Sequence, residues 1–194
     1  IRKIVDVFNS QVEVDKYSRN VSMAEIEAND YNLNIPRYID STDSEDLQDI
    51  DAHLKGGIPN RDIEDLSSYW QVCPTLKLAL FAEGDRVGYS RLAVGPGEVK
   101  TTICANQEFA LYTKLVKERF EKWLTIVVPR MNGLKRGDSP KAYIESIANE
   151  ILTTFLNIPL IDQYDVYQYL MNIWSETMQD DVYLVSHAGW VDAA

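Results

Sequence analysis

The chain has 194 residues, of which 45% are hydrophobic and 25% charged, the balance of a globular protein. No apolar stretch approaches the roughly 20 residues that a membrane-spanning helix needs, which excludes an integral membrane protein. The formal net charge of −11 opposes the approach of phosphate groups and excludes a free-standing nucleic-acid coat protein. Two cysteines, Cys73 and Cys104, cannot form a disulfide framework. We expect two reduced, buried thiols in a cytoplasmic protein, with a single bridge as the alternative.

The charges are distributed unevenly along the chain. Residues 114–141 carry eight Lys and Arg against three Asp and Glu, whereas residues 142–194 carry eight acidic residues and no Lys or Arg. A basic block followed directly by an acidic one predicts either mutual packing of the two blocks or a separate partner for each.

The first elements in chain order are short. Ile4–Tyr17 could be helical or extended. Ser22 followed by Glu25 forms a capping box and predicts a short helix through Ala28. Tyr31–Pro36 alternates polar and apolar residues before a proline, which predicts an extended edge.

The middle of the chain predicts two more short helices and a β-hairpin. The acidic run Asp40–Asp51 is expected to pass through a polar turn into a helix that ends at a Gly-Gly pair. A second short helix is predicted from Asn60 or Arg61 to Trp70. Arg86–Val94 and Glu98–Cys104, joined by a Gly-Pro-Gly turn, are typical of two paired strands.

Three longer helices are predicted where apolar residues repeat every three to four positions. The repeats are Phe109, Tyr112, Val116, Phe120 and Trp123; Ile144, Ile147, Ala148, Ile151, Leu152 and Phe155; and Tyr167, Leu170, Met171, Trp174 and Met178. Ser139 and Asp162 precede the second and third as caps, and Asp181–Ser186 is strand-like. The predicted fold class is α+β, predominantly α-helical, with a small β-hairpin packed with about three longer helices.

No residue of the chain is predicted to be catalytic, to bind a cofactor or to hold a metal. His53, near a helix end, and His187, in a Ser-His-Ala-Gly turn, sit in no nucleophile setting. There is no His-x₃-His, Cys-x₂-Cys or EF-hand spacing. Gly56-Gly57 and Gly95–Gly97 are not phosphate loops, since neither follows a strand with the required spacing.

Three passages resemble the modification (M) subunit of type I restriction-modification systems. Asn29–Tyr38 (NDYNLNIPRY) is similar to a signature that follows the S-adenosylmethionine-dependent catalytic domain of that subunit. Asp51–Pro59 (DAHLKGGIP) resembles the next segment of its long form. The tail, Tyr164–Trp174 and Glu176–Tyr183, is similar to the subunit's C-terminal region.

The catalytic motifs of that family are absent from this chain. Adenine-N6 methylation uses a glycine loop for the methyl donor and an Asn-Pro-Pro motif ending in Phe or Tyr that holds the flipped base. The chain has no Pro-Pro pair, and Asn34–Arg37 and Asn157–Leu160 each contain one proline without the aromatic residue. The resemblance therefore implies a region C-terminal to the catalytic domain that does not methylate DNA alone, although the parent subunit uses S-adenosylmethionine.

The resemblance implies an assembly role, with the specificity and restriction subunits as partners, DNA reached through the complex, and no membrane. Residues 1–40 are expected to dock on the missing catalytic domain, and residues 41–194 to form a helical assembly domain. The candidate docking residues are Tyr31, Leu33, Ile35 and Tyr38. The candidate contacts to the DNA backbone are Lys114, Lys117, Lys122, Lys135 and Arg136. The alternative function is a generic protein-interaction module unrelated to DNA modification.

Overall fold

A computed structural model describes residues 1–41 and 48–193, with side chains as far as Val191. The chain divides into two compact units, Ile1–Gln48 and Asp49–Ala194. Helices predominate, and the described strands form one three-stranded antiparallel sheet, so the predicted α+β class is confirmed. Most of the polar turn predicted within Asp40–Asp51 lies outside the described residues.

The first unit consists of short helices joined by turns. They are α1 (Arg2–Ser10), α2 (Met23–Ala28) and a 3₁₀ turn (Ile35–Arg37). The predicted cap of α2 is confirmed, because the Ser22 side chain accepts a hydrogen bond from the Glu25 amide at 3.2 Å. The extended edge predicted after α2 is wrong. Asp30 and Tyr31 have φ angles of 54° and 56°, a left-handed conformation that reverses the chain before the 3₁₀ turn.

Polar contacts hold this unit together, since none of its described residues is buried. The Arg19 guanidinium donates to both carboxylate oxygens of Glu25 at 2.9 Å and to the Tyr38 carbonyl at 3.3 Å. The Tyr38 hydroxyl donates to the Asn32 carbonyl at 2.6 Å. Large apolar side chains, such as Phe8 at 80% exposure, remain in contact with solvent. The unit therefore has ordered turns without a hydrophobic core of its own.

The second unit contains the sheet and the longer helices. Its helices are α3 (Ile50–Lys55), α4 (Asn60–Glu64), α5 (Ser67–Val72), α6 (Pro74–Leu80), α7 (Val99–Ala105), α8 (Gln107–Asn132), α9 (Pro140–Thr154), α10 (Gln163–Ile173), α11 (Gln179–Ala188) and α12 (Trp190–Ala193), with a 3₁₀ turn (Pro96–Glu98) and a π-helix (Trp174–Met178). The short helix predicted to end at Trp70 is divided between α4 and α5. The caps predicted for α9 and α10, Ser139 and Asp162, are both present.

The sheet is small and differs from the predicted hairpin. Strands β1 (Ile58–Pro59), β2 (Phe81–Glu83) and β3 (Tyr89–Leu92) lie in the order β1-β3-β2. The hairpin partner of β3 is β2, and the predicted strand Glu98–Cys104 is helical instead. Its β-branched residues favour a strand locally, but Val99 and Ile103, one helical turn apart, pack against a cluster of Cys73, Leu76 and Leu80. Tertiary packing therefore overrides the local preference.

The main core lies where α9 packs against α8, α10 and α11. Ile147 is completely buried, and the Trp123 indole donates to its carbonyl at 3.3 Å. All three predicted apolar repeats fall on helices, and Trp123, Phe155 and Trp174 are buried in this core as expected. Phe120 is the exception: its ring stacks on Trp123 at the edge of the core and stays 42% exposed.

The π-helix keeps the last long helix in register with the core. Leu170, Trp174, Met178 and Val182 follow one another at intervals of four residues, so on an α-helix of 3.6 residues per turn the three steps would drift by about 120°. The wider π turn at Trp174–Met178 absorbs part of this drift and keeps Val182 and Val185 buried with Leu170. The strand predicted at Asp181–Ser186 is therefore wrong.

Candidate functional site

A polar cluster joins the start of the second unit to the sheet. Asp49 caps α3 by accepting a hydrogen bond from the Ala52 amide at 2.9 Å, and its second carboxylate oxygen accepts one from the Tyr89 hydroxyl at 2.9 Å. The Arg86 guanidinium stacks on the Tyr89 ring at 3.9 Å and donates to the carbonyls of Asp51 and Gly56. Two side chains of the β2–β3 hairpin thus hold both ends of α3.

Hydrogen bonding sets the electrostatics of this cluster. The Ala52 amide, followed by the Tyr89 hydroxyl, lowers the pKa of the Asp49 carboxyl below its ordinary value. The same bond to Asp49 is the main reason why the pKa of Tyr89 is raised. Sequence reasoning missed the cluster, because Asp49 and Tyr89 are 40 positions apart and no motif connects them.

The five candidate DNA contacts are all exposed and lie on two elements of the second unit, α8 and the turn that follows it. Lys114 and Lys117 lie on α8, where their ammonium groups are 3.8 Å and 3.7 Å from the carboxylates of Glu118 and Glu121. Lys122 lies further along α8, about 15 Å along the axis from the end of the helix. Lys135 and Arg136 follow in the turn between α8 and α9.

Arg130 is also part of the basic block, but it serves the fold. Its guanidinium donates to the Ser146 hydroxyl at 2.8 Å and to the Glu150 carboxylate at 3.1 Å. Among the residues that the structure describes, this is the one ion pair between residues 114–141 and the acidic block that follows them. The two blocks pack through their apolar sides, and most of their charges stay separate.

The candidate docking residues lie on the turn and loop that follow α2. Tyr31, Leu33 and Ile35 are exposed by 63%, 72% and 68%, while Tyr38 is half-buried. The left-handed backbone at Tyr31 is uncommon for an aromatic residue and needs support from its surroundings. That support includes a hydrogen bond from the Tyr31 amide to the Ile26 carbonyl at 3.0 Å. The fold therefore presents this apolar surface on a defined turn.

Other candidate features differ in detail from the sequence predictions. Cys73 is buried and Cys104 is exposed, both as free thiols, so the expectation of two buried thiols is wrong for Cys104. His187 lies in the last turn of α11 rather than in a loop. Within residues 1–41 and 48–193, no group of three or more His, Cys, Asp or Glu could hold a metal ion. In the same residues, no helix is long and apolar enough to cross a membrane.

The glycine segment Gly95–Gly97 lies between β3 and α7. The amide of Gly95 is already used, because it donates a hydrogen bond to the Glu98 carboxylate at 3.1 Å. A carboxylate at this position repels a second anion. The segment therefore does not fit a phosphate or the carboxylate of a methyl donor.

The family model of the N-6 DNA methylases matches residues 1–47. The match relates the chain to adenine DNA methyltransferases through 47 of its 194 residues, nearly all of the first unit. No curated protein and no solved structure is significantly similar to the chain. The family match supports a protein related to DNA methyltransferases.

The Asp49 cluster predicts how stability depends on pH. Because the folded pKa of Asp49 lies below its unfolded value, its contribution is present above that unfolded value and is lost as the pH falls through the folded pKa. In Tyr89→Phe we expect the pKa of Asp49 to rise and the loss of stability between pH 5 and pH 2 to be smaller. Carboxyl NMR titration and urea unfolding at each pH measure both effects.

Tyr112→Phe is the matched control for this experiment. The Tyr112 hydroxyl donates to the Pro159 carbonyl at 2.7 Å, so its removal also deletes a tyrosine hydrogen bond but touches no carboxylate. We expect it to lower the free energy of unfolding by the same amount at every pH, so that the slope of this free energy against pH between pH 5 and pH 2 does not change. Equal slopes in Tyr89→Phe and the wild type would contradict the role given to the Tyr89 hydroxyl.

The exposed turn allows a test of the docking residues that the sequence resemblance implies. Leu33→Ser and Ile35→Ser together should leave the unfolding of the chain unchanged, because both side chains are exposed. They should weaken its binding to a separately expressed catalytic domain of the parent methylase by at least about tenfold, because burying each side chain is worth about 1.5–3 kcal/mol. Met23→Ser, at a position 66% exposed outside this turn, is the control. Undiminished binding of the double variant would refute this docking site.

Proposed function

We propose that the chain is a non-catalytic, C-terminal region of the modification subunit of a type I restriction-modification system. In this proposal it joins the adenine-specific methyltransferase domain of that subunit to the specificity and restriction subunits. Its parent subunit uses S-adenosylmethionine, while the chain itself binds no methyl donor. The complex operates in the cytoplasm.

One observation carries this proposal: the segment that matches the N-6 DNA methylases lacks a core. The match ends at residue 47, and the unit ends at Gln48. Apolar side chains that stay exposed on an ordered backbone favour burial against another polypeptide. A segment related to the methylases is best completed by the rest of a methylase domain. The second unit has a core of its own, so its surface is then available for contacts with the other subunits.

Two chemical features favour assembly over catalysis. The sequence has no Pro-Pro pair for the motif that holds a flipped adenine, and the glycine segment after β3 is closed by Glu98. Residues 142–194 contain no Lys or Arg to neutralise a phosphate. DNA contact is therefore assigned to the basic block, at Lys122, Lys135 and Arg136 and, with their glutamate partners displaced, at Lys114 and Lys117.

Calorimetric titration tests the proposed function directly. We expect no heat with S-adenosylmethionine and binding at micromolar or lower concentration with the specificity subunit of the same system. Heat with the methyl donor would mean that a donor site remains in the chain and would refute the non-catalytic assignment. Binding to neither ligand, together with no binding to the catalytic domain, would favour a generic interaction module.

Charge reversal tests the proposed DNA contacts in the assembled complex. With Lys117, Lys122, Lys135 and Arg136 changed to Glu, DNA binding should weaken, and the dependence of log K on log salt should flatten by about 0.9 per lost phosphate contact. Lys100→Glu, on α7 outside the basic block, is the matched control for the single reversal Lys122→Glu, since both change the net charge equally. Unchanged affinity and slope in the quadruple variant would exclude the basic block from DNA binding.

A further inference from the structure

The helix that runs from Gln163 through the π-helix to Ala188 has two different sides. Its buried side packs into the main core. Its opposite side, here called the acidic helix face, exposes large apolar residues: Tyr169 by 71%, Ile173 by 52% and Leu184 by 47%. Tyr169 and Leu184 are 15 residues apart, which corresponds to about 22 Å of helix. Three apolar anchors at this spacing are typical of a surface that receives another helix.

Carboxylates lie between and beside these anchors. Glu176 and Asp180 are one turn apart, and Asp181 is next to them, all three on the exposed surface. Among the described residues, none of these three carboxylates forms an ion pair. No lysine or arginine occurs from residue 142 to the end of the sequence, so no basic group of the same block lies nearby. The face combines apolar anchors with carboxylates that have no ion-pair partner in the described part of the chain.

The exposed face of α8 provides an internal comparison. It also exposes apolar residues, Leu111 by 59% and Leu115 by 41%, and it also carries charges one turn apart. There, however, two carboxylates each have a lysine of the same helix within 4 Å, in the pairs Lys114–Glu118 and Lys117–Glu121. The helix from Gln163 to Ala188 contains no lysine or arginine, so the carboxylates of the acidic helix face require a cation from outside it.

We propose that the acidic helix face binds a basic amphipathic helix of a partner subunit. The partner helix contributes an apolar stripe to Tyr169, Ile173 and Leu184, and flanking lysine or arginine side chains to Glu176 and Asp180. Charges beside an apolar seam set partner choice and orientation in paired helices. This inference deepens the proposed assembly function and rests on it for the identity of the partner. The chemistry of the face itself does not depend on that identity.

The first test uses a synthetic probe. A 21-residue helical peptide with leucine at the seam positions and lysine beside them should bind the chain, and the isomeric peptide with glutamate in place of lysine should not. Binding of the lysine peptide should weaken as salt rises from 50 to 300 mM, because opposite charges drive the encounter. Equal binding of both peptides would overturn the proposal.

Two matched variants locate the contact on the helix. Glu176→Lys with Asp180→Lys should reduce the affinity for the lysine peptide at least about tenfold, since like charges then face each other across the seam. Glu118→Lys with Glu121→Lys adds the same charge on α8 and should change the affinity less than about twofold. If both variants lost the same affinity for the lysine peptide, the loss would be explained by net charge alone, and the proposed binding site would be wrong.

The specificity subunit separates this inference from the proposed function. If that subunit binds the wild-type chain and the Glu176→Lys, Asp180→Lys variant equally well, the assembly function stands and the acidic helix face is not its interface. If the subunit does not bind but the lysine peptide does so at this face, the face is supported and the assembly function fails. The chain could instead self-associate through this face. If Lys114→Glu with Lys117→Glu abolished such self-association, the occupant would be a second copy of the chain, and the proposal would be overturned.

Discussion

A long helix can bury one continuous apolar side only if the spacing of its apolar residues matches the number of residues per helical turn. The second unit depends on this constraint. The helix that runs from Gln163 to Ala188 departs from the α-helical repeat, because its buried residues recur every four positions across Trp174. The π-helix at Trp174–Met178 restores the match. Without this wider turn, Val182 and Val185 would rotate out of the core, and the carboxylates of the opposite side would turn with them. The same turn therefore fixes both the core and the acidic helix face.

The first unit obeys a different constraint, since none of its described residues is buried. Its order comes from the Arg19–Glu25 pair, the Ser22 cap and the left-handed turn at Asp30 and Tyr31. Ion pairs on a surface contribute little to stability, about 0–1 kcal/mol each. A unit held in this way gains little stability from burial. The segment that matches the N-6 DNA methylases is thus the one whose large apolar side chains stay exposed.

The sequence predicts the parts of this fold whose causes are local. Caps such as Ser22, Ser139 and Asp162 act within three residues, and the three long amphipathic repeats are strong enough to identify their helices. The errors at Glu98–Cys104 and Asp181–Ser186 have one cause: β-branched and aromatic residues favour strands locally, and packing of Val99, Ile103, Val182 and Val185 against distant residues decides for a helix. The Asp49–Tyr89 contact could not be predicted, because a contact between positions 40 apart leaves no periodic signal.

The arrangement of the basic and acidic blocks in the structure differs from what their net charges alone suggest. A count of +5 for residues 114–141 and −8 for residues 142–194 suggests two surfaces of opposite sign that attract each other. The structure instead joins the blocks through apolar packing and the Arg130–Glu150 pair, while Lys114 and Lys117 pair with glutamates of α8 itself. Because the count of +5 already includes those glutamates, each block keeps a net charge of its own sign. Because a negative surface repels phosphates, the acidic block favours a basic polypeptide, and the DNA contact of the proposed function falls to the basic block.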